Sequence, residues 1–120
     1  MALQPTKDTA VYTHAQRRDN LEVTELRKAA GLWLRSLREQ RGLSQRDLAS
    51  LVGAEYYTFI SQLETGRGRV PPDRYEAWAS ALDVSAPQFV RRLLSYYDPV
   101  TYRILFESHD DRVLLETPKN

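Results

Sequence analysis

Residues 43–66 read "LSQRDLASLVGAEYYTFISQLETG", and the fold depends on how this stretch divides. Ser44 followed three positions later by Asp47 is a capping box, which starts a helix at Ser44. Leu48, Leu51 and Val52 recur at helical spacing and form its apolar stripe. Gly53 stops it. A short turn follows, and a second helix is predicted over residues 55–64. Two tyrosines, Phe59, Ile60 and Leu63 give it the apolar content of a buried helix, and Gly66 closes it. Two short helices joined by a tight glycine-containing turn are the minimal description of a helix-turn-helix, although any helical bundle has such corners.

The segments on either side extend the helical pattern. Upstream, Thr24 is a candidate N-cap ahead of Glu25, and Leu26, Ala30, Trp33 and Leu37 form one face. Arg35, Arg38 and Arg41 fall on other faces, and Gly42 ends this helix. Residues 1–23 are polar and lack a clear period, so they read as an arm with at most a helical turn near Ala10–Arg18. Downstream, "GRGRVPP" is a loop, and Pro71-Pro72-Asp73 opens a fourth helix with its prolines where a missing N–H costs nothing. Tyr75, Trp78, Ala79 and Leu82 give that helix its apolar face. Ser85 with Gln88 opens a fifth helix to about Tyr96, carrying Phe89, Val90, Leu93 and Leu94. Trp33 and Trp78 read as core anchors. Beyond Asp98-Pro99 two readings stand: a short helix over 99–107, which the Asp-Pro opening favours, or two strands around "SHDD". The whole is an all-α bundle of five helices with a domain over 24–97, an N-terminal arm and a C-terminal extension over 98–120.

Composition narrows function. The 120 residues suit one compact domain with tails, and 42% apolar with 28% charged residues is ordinary for a soluble globular protein. With no cysteine, disulfides and thiolate metal sites are excluded. His14 and His109 stand apart without a ligand-spaced companion, so neither is expected to hold a metal. No apolar run nears the ~20 residues that span a bilayer, and the N-terminus lacks signal-peptide order, so a cytoplasmic protein with no membrane partner is expected. Asp110-Asp111 reads as a solvated pair. No nucleophile with its base, phosphate-cradling glycine signature or metal cluster stands out, so neither enzymatic activity nor a cofactor is expected. The net charge is only +1, but residues 27–92 hold eleven Arg or Lys against seven Asp or Glu, while both flanks are mildly acidic. A basic middle suggests an anionic partner.

Together, "LREQRGLSQRDLASLVG", "ISQLETG" and a proline-led fourth helix ending "ALDVS" resemble the lambda repressor/Cro-like (Xre) helix-turn-helix family over about residues 32–95. The resemblance implies a five-helix bundle whose third helix enters the DNA major groove while the second crosses the phosphate backbone. Base-facing positions then fall on Tyr57, Thr58, Ser61 and Gln62, while Ile60 and Leu63 face the core with Tyr56 or Phe59 completing the stripe. Gln45, at the positive start of the second helix, and Arg46 beside it would meet phosphate. Arg67 and Arg69 lie in the loop where the family makes backbone contacts, and their alternating glycines suit a flat approach to DNA. Gln62 suits adenine N6 and N7, and the third helix offers no Arg to guanine. One departure is present: Gly53 and "ISQLETG" are one residue farther apart than is usual for the family. That residue could rotate the start of the third helix by ~100°.

The resemblance implies a transcriptional regulator, more naturally a repressor since repression needs only occupancy, working as a homodimer on an inverted repeat of double-stranded DNA. The tail "RRLLSYYDPVTYRILF" is the candidate dimer contact, being richer in aromatic and aliphatic residues than a lone surface element. Folding back on its own bundle is the alternative. Two other functions stay open: an antitoxin or similar protein-interaction protein with its own protein partner, and RNA or non-specific nucleic-acid binding.

Overall fold

A computed structural model describes residues 7–108, with side chains from residue 20 onward. His14, His109, Asp110 and Asp111 lie outside the described side chains, as does the second half of the alternative hairpin. The described chain is all-helical: α1 (Lys7–Gln40), α2 (Gln45–Val52), α3 (Thr58–Glu64), α4 (Tyr75–Ala81), α5 (Ala86–Tyr97) and α6 (Pro99–Tyr102). A 3-10 turn at Pro72–Arg74 leads into α4, and a π-helical turn at Arg103–Glu107 extends α6. Helix α1 packs on α3 and α5, α2 on α3 and α4, and α5 carries α6.

Helix α1 begins well before Thr24. Between Pro5 and Gly31 the sequence has no glycine or proline to break it. Thr24 is interior, its hydroxyl donating to the Asn20 carbonyl at 2.8 Å, not capping an end. Leu21 and Val23 are exposed, and full burial starts only at Ala30. The helix is thus continuous where a separate arm was expected.

The core gathers Leu34, Leu48, Ile60, Leu63, Val70, Trp78, Phe89 and Leu93, each nearly inaccessible to solvent. Leu34 replaces Leu37 at the centre of the α1 stripe, and Leu37 is half-buried against the edge. On α2 the stripe is Leu48, Ala49 and Val52; Leu51 is 56% exposed, one helical position too far around. Trp78 is buried as expected, whereas Trp33 is half-buried, stacked on Phe89 at 5.5 Å between centroids. Helix α5 runs one residue past Tyr96, with Ser85 capping it through the Gln88 N–H. Asp98 caps α6 by accepting from the Thr101 N–H, so residues 99–107 are helical and not a strand.

The turns follow the glycines. Gly42, Gly53 and Gly66 all take positive φ, at 69°, 73° and 83°. At Gly31 the reason is space. A Cβ there would overlap the Leu63 and Glu64 carbonyls, so α1 and α3 cross backbone against backbone at this residue.

Candidate nucleic-acid interface

Helix α2 opens with the reciprocal box read from the sequence. The Asp47 N–H donates to Ser44 Oγ and the Ser44 N–H donates to the Asp47 carboxylate, both at 2.9 Å. The Ser44 backbone N–H, then its hydroxyl, hold the Asp47 carboxyl below the usual aspartate range. This locks the first turn of α2, the turn that carries Gln45 and Arg46.

Helix α3 starts at Thr58, three residues later than expected from the sequence. Glu55, Tyr56 and Tyr57 belong to the connection from Gly53, so the residue by which this stretch exceeds the family spacing falls before the first turn of α3. The physical reason lies at Tyr57. It is helical in φ and ψ but makes no side-chain cap bond, while its carbonyl accepts from the Ile60 N–H at 3.0 Å. Nothing upstream supplies a cap that would start the helix sooner.

Within α3, Ile60 and Leu63 are fully buried. Thr58 and Gln62 are exposed and Ser61 is half-buried. Their spacing of three and four puts them on one side of the helix, opposite the core. Tyr57 is 42% exposed and receives the Arg46 guanidinium over its ring, 4.5 Å from the centroid. The two side chains expected to touch a base and a phosphate thus hold each other, a cation–π contact spanning the start of α2 and the turn before α3. Gln45 is half-buried, and one of its two amide N–H groups donates to Glu64 Oε1 at 3.1 Å.

Beyond α3 the chain reverses tightly, with the Arg67 N–H donating to the Gln62 carbonyl at 2.8 Å. Arg67 and Arg69 are both exposed. Gly66 lies so close to α1 that a Cβ would come within 2.8 Å of the Lys28 nitrogen. Arg69 lies over the Tyr97 ring at 4.9 Å, and the buried Val70 donates its N–H to the Tyr97 hydroxyl at 3.2 Å. Tyr97 therefore pins the loop to α5. Burial pushes its phenol above the ordinary tyrosine value, against the lowering effect of the Val70 N–H and Arg69.

Three positioning features escaped the sequence reading. Arg38, placed there on an outer face, is 9% exposed and bonded to Glu64, itself 6% exposed, through Nε at 2.6 Å and Nη2 at 3.0 Å. Its Nη1 donates to the Leu43 carbonyl at 2.7 Å. The Glu64 hydrogen bond, then its charge, hold the guanidinium above its ordinary value against desolvation. The signal was present, since Ala30, Leu34 and Arg38 recur every four residues on the buried stripe. Gly31 was legible as an isolated glycine in a helical run, the usual mark of close packing. Tyr97 had no such signal.

The network has one structural result. Glu64 ends α3, Gln45 begins α2 and Arg38 lies in the last turn of α1, so a single buried carboxylate fixes the mutual placement of all three helices. Among the described residues no group of three or more His, Cys, Asp or Glu gathers that could hold a metal, and no helix is long and apolar enough to cross a membrane.

A family model described as a helix-turn-helix domain matches residues 29–93. No curated protein matches the chain.

Proposed function

The chain belongs to the helix-turn-helix domain family, which supports a DNA-binding regulator, and from that premise we propose a specific mode of action. The protein is a lambda repressor/Cro-like transcriptional repressor. It binds an inverted-repeat operator as a homodimer, in the cytoplasm, with α3 in the major groove. The observation that carries this reading is the division of α3: Ile60 and Leu63 are buried, while Thr58, Ser61 and Gln62 form a polar opposite side flanked by exposed Arg46, Arg67 and Arg69.

Each residue then has a task. Gln62 bonds an adenine edge, and Thr58 and Ser61 donate or accept at neighbouring bases. Gln45 meets a phosphate at the positive end of α2, held at the correct angle by Glu64. Arg46 holds a phosphate while steadying Tyr57, which offers its ring to a thymine methyl. Arg67 and Arg69 clamp the backbone beyond α3. Since α3 carries no Arg, direct readout favours A·T steps.

Dimerisation is assigned to the C-terminal element. Val100, Ile104, Leu105 and Phe106 are all exposed, an apolar run that a second copy would cover. Paired recognition helices about 34 Å apart would then match one turn of DNA. The same run is the feature that favours the second reading, an antitoxin-like protein with a protein partner.

Selection from a random duplex library, followed by titration of the winning and a scrambled duplex across salt, tests the proposal. A palindromic, A·T-contacted winner with a large affinity gap supports it. Parallel salt slopes with no enriched sequence would reduce the protein to non-specific binding, and a stable co-purifying partner would favour the second reading.

A further inference from the structure

Where the chain leaves α3 it comes to rest on the first helix. A Cβ at Gly66 would stand 2.8 Å from the Lys28 nitrogen and 3.0 Å from the Arg27 carbonyl carbon. The Gly-Arg loop therefore starts on the Arg27–Lys28 peptide. Its far end is tied down by Tyr97, whose hydroxyl accepts from the Val70 N–H at 3.2 Å and whose ring centroid lies 4.9 Å from the Arg69 guanidinium. Arg27 acts at the same place. Burial raises the Tyr97 phenol, and the Val70 N–H, Arg69 and Arg27 work against that rise, so both guanidinium charges reach one hydroxyl.

Among the described residues no Asp or Glu forms an ion pair with Arg27, Arg67 or Arg69. Asp98 lies in the field of Arg69, but its carboxylate accepts from the Thr101 hydroxyl at 2.6 Å and the Thr101 N–H at 3.2 Å. Glu25 pairs with Lys28 instead, at 3.6 Å. Like charges held together repel, and an anion between them relieves that repulsion. Arg69 is exposed and Arg27 half-buried, so such an anion is reached from solvent and meets a partly desolvated charge. The planar fork of a guanidinium matches a pair of phosphate oxygens. Arg27 and Tyr97 both fall outside residues 29–93, the stretch that matches the family model, so this corner is built partly from residues beyond the shared domain.

We propose that Arg27 and Arg69 grip one phosphate of the DNA backbone between them, which makes α1 part of the nucleic-acid interface. This contact rests on the DNA-binding reading above and adds the first helix to the surface that meets the backbone.

The test uses the full chain and selected operator duplexes in which each backbone phosphate in turn is replaced by a neutral methylphosphonate. At the contacted linkages wild type should bind roughly tenfold more weakly, the effect of a charge-assisted hydrogen bond. At one of them the loss should disappear in Arg27→Gln and in Arg69→Gln alike, because both variants have already given up that contact. Arg27→Gln should also weaken operator and scrambled duplex by the same factor, and should shallow the salt slope by about 0.9, the counterion release of one phosphate. Arg27→Lys keeps the charge and should hold the slope. Unchanged affinity and slope in Arg27→Gln, or insensitivity of the two variants at different linkages, would overturn the shared phosphate while operator binding stands. A slope lost equally in Arg27→Lys would mark a packing loss and overturn the contact. Failure of wild type to bind DNA at all would overturn both this contact and the reading beneath it.

Discussion

Substituting Glu64 by Ala removes the acceptor of three hydrogen bonds, from Arg38 Nε at 2.6 Å, Arg38 Nη2 at 3.0 Å and Gln45 Nε2 at 3.1 Å. It leaves the Arg38 guanidinium buried without its anion, holding only the Leu43 carbonyl. Breaking one side of a buried ion pair costs about 3–5 kcal/mol, mostly because the surviving charge is uncompensated. A domain of this size loses roughly 4–8 °C of Tm per kcal/mol, so the variant should melt at least ~12 °C lower. Arg38→Met should cost a similar amount through the stranded carboxylate. The double variant Arg38→Met with Glu64→Leu should recover most of the loss, because apolar replacements of buried pairs are often neutral or better. Urea unfolding followed by circular dichroism measures all four corners of the cycle, with an unchanged m-value confirming that the same surface is exposed. The double variant also frees Gln45 from its bond to Glu64. Under the proposed function it should fold yet bind operator more weakly. Single variants that each cost less than ~1 kcal/mol would refute the reasoning, since that is the worth of a solvent-screened surface pair.

Other perturbations test the remaining geometry. Gly31→Ala gains about 1 kcal/mol of helix propensity. It should nonetheless lower Tm, because its Cβ would overlap the α3 backbone and overpacking costs typically 1–3 kcal/mol or more. Tyr97→Phe should cost about 1–3 kcal/mol by stranding the buried Val70 N–H. Wild-type stability from Tyr97 is fully present below the ordinary tyrosine value near pH ~10 and falls as pH rises through its raised folded value, so the variant should lose that alkaline limb. Asp47 behaves oppositely: its contribution is present above the ordinary value near pH ~4 and is lost as pH falls through the depressed folded value. Ser44→Ala should therefore flatten the acid limb of a stability–pH curve. On DNA, Gln62→Ala should cost ~1–3 kcal/mol at one base position and relax preference there, whereas Arg67→Ala should weaken all sequences alike and shallow the salt slope. Identical behaviour of these two variants would refute the division into base and phosphate contacts.

Much of the molecule was legible in the sequence because local rules decide it. Glycines at positions 42, 53 and 66 ended helices where left-handed residues must stand, since a missing Cβ is a local property. The Ser44–Asp47 box and the Ser85 and Asp98 caps set helix starts through bonds reaching only three residues. The family resemblance placed Ile60 and Leu63 on the inner face of α3, and both are buried. What the tertiary structure alone decided involves partners far apart along the chain. Arg38 is buried only because Glu64, twenty-six positions away, offers it an anion. Thr24 is interior because no breaker interrupts the long α1, a fact about what is missing that a plausible cap obscured. The beginning of α3 moved to Thr58 because no cap arises upstream, and Tyr57 then turned to Arg46. Tyr97 holds the Gly-Arg loop from α5, twenty-seven positions beyond Val70. Periodicity assigns a residue to a side of its own helix; which neighbour waits on that side is settled only when the helices pack.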